Sequence, residues 1–236
     1  MSALTPPPVA AYLTGLGRLP HPVLDRIREE GHAHGVPIVD PLTGALLHAL
    51  TRMSGATRVL EIGTAIGYST VWLATALPAA GLLVTLERDQ ARATTARGYV
   101  RDAGVEDRVN VVIGDAGRYL HKLAGPFDLI FQDGDKAHYG PLLDTLVGLL
   151  KPGGLLVTDN VLWSGEMVPG FVARPREDAA DTAAIAAYND RLAADPRLST
   201  TWLTVGDGVA ISIKNQTLGQ ENVPLPRPAR DDRGPA

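Results

Sequence analysis

The sequence predicts an α/β fold: a doubly wound, mostly parallel sheet that ends in a C-terminal antiparallel hairpin and is preceded by extra N-terminal helices. Three observations predict it. Short apolar runs at 59–62, 82–86, 109–113, 127–131 and 155–158 have the length and composition of strands buried on both faces. Helical segments at 69–77, 89–103, 116–123 and 141–150 separate them, and strands alternating with helices wind into a parallel sheet through right-handed crossovers. Beyond these, 200–205 and 209–214 flank Gly206-Asp207-Gly208, whose Asp-Gly pair is a hairpin signal, so the last two strands should be antiparallel.

The remaining elements follow in order. Residues 1–8 are rich in proline and are expected to be flexible. Helices are expected over 9–16, 22–34 and 42–53, the third capped by Asp40 with Pro41 in the first turn, where a missing N–H costs nothing. Gly104 suits the left-handed position that ends the helix before it. A helix over 178–194 precedes the hairpin, and 215–236, with little to bury, reads as a disordered tail. A single domain over 9–214 is the natural expectation for 236 residues of 45% hydrophobic composition.

Composition excludes several classes of function. A net charge of −4 without a basic stripe argues against nucleic acid, and the apolar runs are strand-sized, too short to span a membrane. The N-terminus lacks the basic region and apolar core of a secretory signal, which makes the cytoplasm the default location. The absence of cysteine rules out disulfides, thiolate metal sites and a cysteine nucleophile. His32 and His34 form an H-x-H, but on a helix the two side chains diverge, so they read as a solvated helix end.

In a sheet of this kind ligands bind beyond the carboxyl ends of the strands, and every strand end delivers an acid there. The first turn, Glu61-Ile-Gly63-Thr64-Ala-Ile-Gly67-Tyr-Ser69, is a strand, a glycine turn and a helix N-terminus, a corner that cradles nucleotides. It departs from the dinucleotide fingerprint by carrying Glu61 where the first glycine belongs, and a carboxylate sits badly beside a pyrophosphate. A cationic ligand such as S-adenosylmethionine, with its ammonium and sulfonium, suits Glu61 better, which counts against a nicotinamide oxidoreductase. Glu87 stands where nucleotide folds place the carboxylate that accepts both ribose hydroxyls. Asp115 is placed to accept from an adenine amino group, with small Ala116 leaving room for the ring.

Asp133, Asp159 and Asn160, from the ends of neighbouring strands, are an all-oxygen set that suits a hard divalent cation such as Mg²⁺. Lys136, three residues after Asp133, could act as general base beside such an ion. The alternative is that Lys136 pairs with Asp135 on the surface while Asp159-Asn160 merely turns the chain.

Three stretches in order carry a resemblance: the Glu61–Ser69 corner, Phe131-Gln132-Asp133-Gly134-Asp135-Lys136-Ala-His-Tyr139, and Asp159-Asn160-Val-Leu-Trp163-Ser-Gly165. With the 205–208 hairpin, they are similar to the cation-dependent S-adenosylmethionine O-methyltransferases of the caffeoyl-CoA and catechol type. The resemblance implies a class I methyltransferase (Rossmann-like) fold, usually a homodimer. It implies cofactor contacts from Val39, Gly63, Thr64, Ser69, Glu87, Asp115, Ala116 and Asp135, and metal on Asp133, Asp159 and Asn160. It also implies transfer of a methyl group to one hydroxyl of a phenolic vicinal diol, with Lys136 taking the proton. Gln132 and Gly134 depart from the family pattern, and 166–181 corresponds to its variable substrate loop. A non-catalytic protein that binds the same cofactor is the competing reading.

Overall fold

The computed structural model describes residues 4–17, 20–171 and 178–216. Three helices, α1 (Pro7–Leu16), α2 (Val23–His34) and α3 (Pro41–Met53), lead into β1 (Arg58–Ile62). There follow α4 (Tyr68–Ala76), β2 (Leu82–Glu87), α5 (Gln90–Asp102), β3 (Val109–Ile113), α6 (Ala116–Tyr119), β4 (Phe127–Gln132), α7 (Tyr139–Leu149) and β5 (Leu150–Thr158). The chain closes with α8 (Ala179–Ala194), β6 (Leu198–Leu203) and β7 (Val209–Lys214).

The seven strands lie in the order β3-β2-β1-β4-β5-β7-β6. The first five are parallel, and β7 pairs antiparallel with both β5 and β6. The order reverses between β1 and β4, which splays the turns after these strands apart and opens a crevice at their carboxyl ends. Each face of the sheet carries its own core. On one side Val59, Leu129, Phe131 and Val157 pack under α4 and against Leu24, Ile27 and Leu47 of the N-terminal helices. On the other, Leu60, Ile130 and Leu156 pack under α7 and α8 through Leu143, Tyr139 and Tyr188. The extra helices therefore complete one layer of the fold.

Local signals act as read. Asp40 caps α3, accepting from the Leu42 N–H at 2.8 Å, and Gly104 takes φ +63° just past α5. Some bounds differ. α1 begins at Pro7, so the flexible N-terminal stretch expected over 1–8 does not extend through Pro7 and Pro8; prolines in a helix's first turn forfeit no hydrogen bond. α6 stops at Tyr119 and continues as a 3₁₀ turn over Leu120–Lys122. β5 starts earlier than its apolar run, at Leu150, because the ladder with β4 resumes across an irregularity between Phe127 and Leu129. Of the expected tail, Asn215 donates its backbone N–H to Arg197 O at 2.8 Å, and 217–236 lie outside the described residues. Among the described residues, no helix is long and apolar enough to cross a membrane.

Candidate active site

A cavity of about 690 Å³ opens at the carboxyl ends of β1, β2, β4 and β5. Its floor is the turn after β1. Gly63 (φ +96°) and Gly67 (φ +95°) are both left-handed, and a Cβ on Gly63 would lie 2.3 Å from the carbonyl oxygen of Asp133. Only glycine lets the two turns approach this closely. The N–H groups of Gly63 and Thr64 donate to Leu86 O at 3.0 and 3.3 Å, which ties the corner to β2.

Val39, Gly63, Thr64, Ser69, Glu87, Asp115, Ala116 and Asp135 all line this cavity. Glu87 is almost buried; one oxygen accepts from the Ala65 N–H at 2.8 Å and the other from the Asp89 N–H at 2.9 Å. Each keeps a second acceptor position. Asp115 caps α6 through the Arg118 N–H at 3.1 Å. Asp135 accepts from the Ala137 N–H and pairs with Arg88 at 2.9 Å. The hydroxyl of Thr64 turns away to Thr85 at 2.5 Å, so Thr64 shows the cavity its backbone side.

Glu61 departs from its expected place. The sequence set its carboxylate against a bound ammonium, but the side chain is fully buried behind the cavity wall. One of its oxygens accepts from Thr70 at 2.5 Å and Thr85 at 2.6 Å, and burial pushes the carboxyl up to about 7. Its physical reason is register: Glu61 pairs with Thr85 and Phe131 inside the ladder, one residue short of the strand end, and alternation turns it under α4.

The acid end of the cavity converges on Lys136. Its Nζ donates to Asp133 Oδ1 at 3.0 Å, Gly134 O at 3.3 Å, the Tyr139 hydroxyl at 2.8 Å and Asn160 Oδ1 at 2.5 Å. The ammonium also stands over the Tyr139 ring at 4.8 Å and the Trp163 ring at 5.9 Å. A surface pair with Asp135 is thereby ruled out, since Asp135 takes Arg88 instead. Asp159 is 3% exposed and accepts from the Asn160 N–H at 2.8 Å, while Asn160 takes φ +62°, a left-handed turn position that asparagine tolerates. Burial raises the carboxyls of both Asp133 and Asp159; the Asp133 charge raises Asp159 further, and the Asp207 charge adds to the rise at Asp133 against the pull of Lys136.

Among the described residues no group of three or more His, Asp or Glu side chains is placed to hold a metal ion. Here the third donor is an amide oxygen. The Asp133 carboxylate and the Asn160 amide oxygen meet at one cationic atom, and the buried Asp159 carboxyl lies near enough to be raised by the Asp133 charge; such a set fits a hard divalent ion, which takes oxygen ligands and would relieve that repulsion. Tyr139 and Asp207 escaped the sequence reading. Tyr139 stands one turn after Lys136, a spacing that puts two side chains on one face, and Asp207 was legible only as a turn former.

Comparison with known proteins bears on the family and the fold. Residues 18–215 match a family model described as O-methyltransferase. The catechol O-methyltransferase of Mycobacterium tuberculosis is 37% identical over 216 residues, covering 88% of this chain and 96% of that protein. The catechol O-methyltransferase of Niastella koreensis is 36% identical over 184 residues, 74% of this chain and 81% of that protein. Among solved structures, the O-methyltransferase from Bacillus cereus in complex with SAH superposes with a TM-score of 0.77 at 31% identity, covering 88% of this chain and 97% of that one.

Proposed function

The chain belongs to the O-methyltransferase family of the catechol and caffeoyl-CoA type and is an S-adenosylmethionine-dependent enzyme; from that premise we propose that it methylates one hydroxyl of a phenolic vicinal diol with the help of a divalent cation. We infer also that it works as a cytoplasmic homodimer, a reading supported by the family resemblance and by the exposed apolar residues Val9, Tyr12, Leu13 and Leu16 along α1. Asp133, Asp159 and Asn160 would hold Mg²⁺ or a similar hard ion, which when bound supplies Lewis acidity toward the two hydroxyls.

The rest falls to the chain's own side chains. Glu87 offers its spare acceptor positions to the ribose hydroxyls, Asp115 accepts from the adenine amino group beside small Ala116, and the Gly63 turn admits the methionine portion. In its neutral amine form Lys136 takes the phenolic proton at Nζ, which Tyr139 and Trp163 hold in place. Trp163 gives a planar ring a wall to lie against. As oxyanion and sulfonium neutralise each other, little charge needs a donor hole, so most acceleration comes from alignment and exclusion of water.

One observation carries the proposal: Lys136 Nζ lies within 3.0 Å of both Asp133 Oδ1 and Asn160 Oδ1, so base and oxygen donors meet at one point of the cavity wall. The test is a panel of catechols, hydroxycinnamoyl thioesters and polyketide-like diols, assayed with and without EDTA. Chelation should abolish turnover and added Mg²⁺ restore it. Lys136→Ala should lower turnover more than it lowers affinity for S-adenosylhomocysteine, and Asp159→Ala should weaken metal dependence and activity together. Undiminished methylation by metal-free Asp159→Ala would refute the role of the ion.

A further inference from the structure

Asp207 lies half-buried in the turn between β6 and β7, and its two carboxylate oxygens serve opposite ends of one short segment. Oδ1 accepts from the backbone N–H of Ser164, and Oδ2 lies 3.5 Å from Nδ2 of Asn160. The main chain adds two more ties, Val161 N–H to Gly208 O and Leu162 N–H to Asp207 O, both at 3.1 Å. The segment so held is strained, with φ of +62° at Asn160, +45° at Trp163 and +56° at Ser164. The turn has no slack of its own, since a Cβ on Gly208 would lie 2.7 Å from Leu162 N and one on Gly206 2.5 Å from Thr43 Oγ1.

A primary amide has two ends of similar shape and opposite polarity, and its neighbours decide which way it points. Here Asp207 stands beside the NH₂ of Asn160, which leaves Oδ1 facing the Asp133 side, 2.5 Å from the Lys136 ammonium. We infer that Asp207 is a positioning residue that orients the Asn160 amide and so makes Asn160 an oxygen donor to the cation. The inference rests on the cation site proposed above. Only a carboxylate serves at 207, because it accepts at both oxygens. An amide there would spend its one oxygen on the Ser164 N–H and turn its NH₂ toward Asn160. Asn160 would then rotate to accept, presenting its own NH₂ to the ion.

The test titrates MnCl₂ into the full chain by calorimetry, with S-adenosylhomocysteine binding and thermal unfolding as parallel readouts. Asp207→Asn should weaken Mn²⁺ binding roughly 10- to 100-fold, the usual effect of removing a group that orients a metal ligand, and leave S-adenosylhomocysteine affinity unchanged. Adding Asn160→Asp to that variant should restore Mn²⁺ binding, since a carboxylate at 160 shows oxygen on either face. Repeating Asp207→Asn in an Asn160→Ala background separates donor reversal from loss of a nearby charge: with no amide to reverse, the substitution should weaken Mn²⁺ binding no further, whereas a charge effect would persist. Wild-type Mn²⁺ affinity in Asp207→Asn, no recovery in the double variant, or an undiminished effect in the Asn160→Ala background would overturn the inference alone. Failure of the unsubstituted protein to bind Mn²⁺ would remove the cation site and the inference with it.

Discussion

Glu61→Gln isolates the consequence of folding a carboxyl into the sheet. The side chain is fully buried, two threonine hydroxyls donate to one of its oxygens, and burial raises its pKa from 4.5 to about 7. Between those values the folded chain keeps a proton that the unfolded chain has released. Stability from this group is therefore complete below pH 4.5 and falls as pH rises, by about 1.4 kcal/mol per pH unit, until the folded carboxyl also ionises near 7. The accumulated loss is about 3 kcal/mol, a large fraction of the stability of an ordinary domain. Glutamine keeps an acceptor for Thr70 and Thr85 and never ionises, so it escapes that loss. Urea unfolding of both proteins from pH 4 to pH 8.5 should show the stability difference shifting toward the variant by about 3 kcal/mol, with most of the shift below neutral pH. The other titrating groups are common to the pair, and only Asp133, whose charge adds to the rise at Glu61, feels the substitution directly. Parallel pH profiles would refute the argument, because they would mean that Glu61 ionises in the folded chain as easily as in the unfolded one.

Gly63→Ala should disturb both halves of the site at once. The new Cβ would fall about 0.7 Å inside the 3.0 Å limit of real contacts to Asp133 O, and the Asp133 N–H, bonded to Ile62 O at 2.9 Å, resists retreat. Expected are a loss of about 2–3 kcal/mol of stability in urea and a ~100-fold drop in turnover, the usual result of a misplacement of about 1 Å near reacting atoms; a variant with wild-type stability and turnover would show that the turns have room. Asp128→Asn probes the opposite edge of the sheet. Burial pushes the Asp128 carboxyl up, but the Lys151 ammonium at 2.5 Å and the N–H groups of Thr57 and Arg58 at 2.7 and 2.8 Å outweigh it and hold the value to about 2. That stability is present above pH 3.8 and is lost as pH falls through 2, so the variant should be about 1–2 kcal/mol weaker at pH 7, after allowing for solvent screening of Lys151, and the two unfolding curves should converge in acid.

The architecture was legible because its signals are local. Apolar runs of strand length, the Asp40-Pro41 cap, Gly104 and the Gly206-Asp207-Gly208 turn each act within a few residues, and all recur in the structure. Element ends were less legible where tertiary contact decides them. The start of β5 at Leu150 depends on how β4 resumes its ladder, and no pattern within 150–154 announces it. The partners of charged groups were the least legible. Lys136 pairs with Asp133 and Asn160, while neighbouring Asp135 pairs with Arg88, from the turn after β2 and 47 residues away in sequence.

Glu61 shows what separates an acid that faces the cavity from one that does not. Counting strand ends assigns Glu61, Glu87, Asp133 and Asp159 alike to the binding edge. The ladder distinguishes them: β4 and β5 end at Gln132 and Thr158, so Asp133 and Asp159 are the first residues released from strand pairing and turn into the crevice. Glu87 is the last residue of β2 and reaches the cavity from its rim. Glu61 is followed by Ile62, still paired to Leu86 and Gln132, and is held by alternation on the face that α4 covers. One residue of register thus divides a buried, proton-retaining carboxyl from a ligand-facing one, because a strand reverses the side on which each successive side chain lies. The sequence shows the acid and the strand, while the pairing that decides between the two fates is made by β2 and β4, about 20 and 70 residues further along the chain.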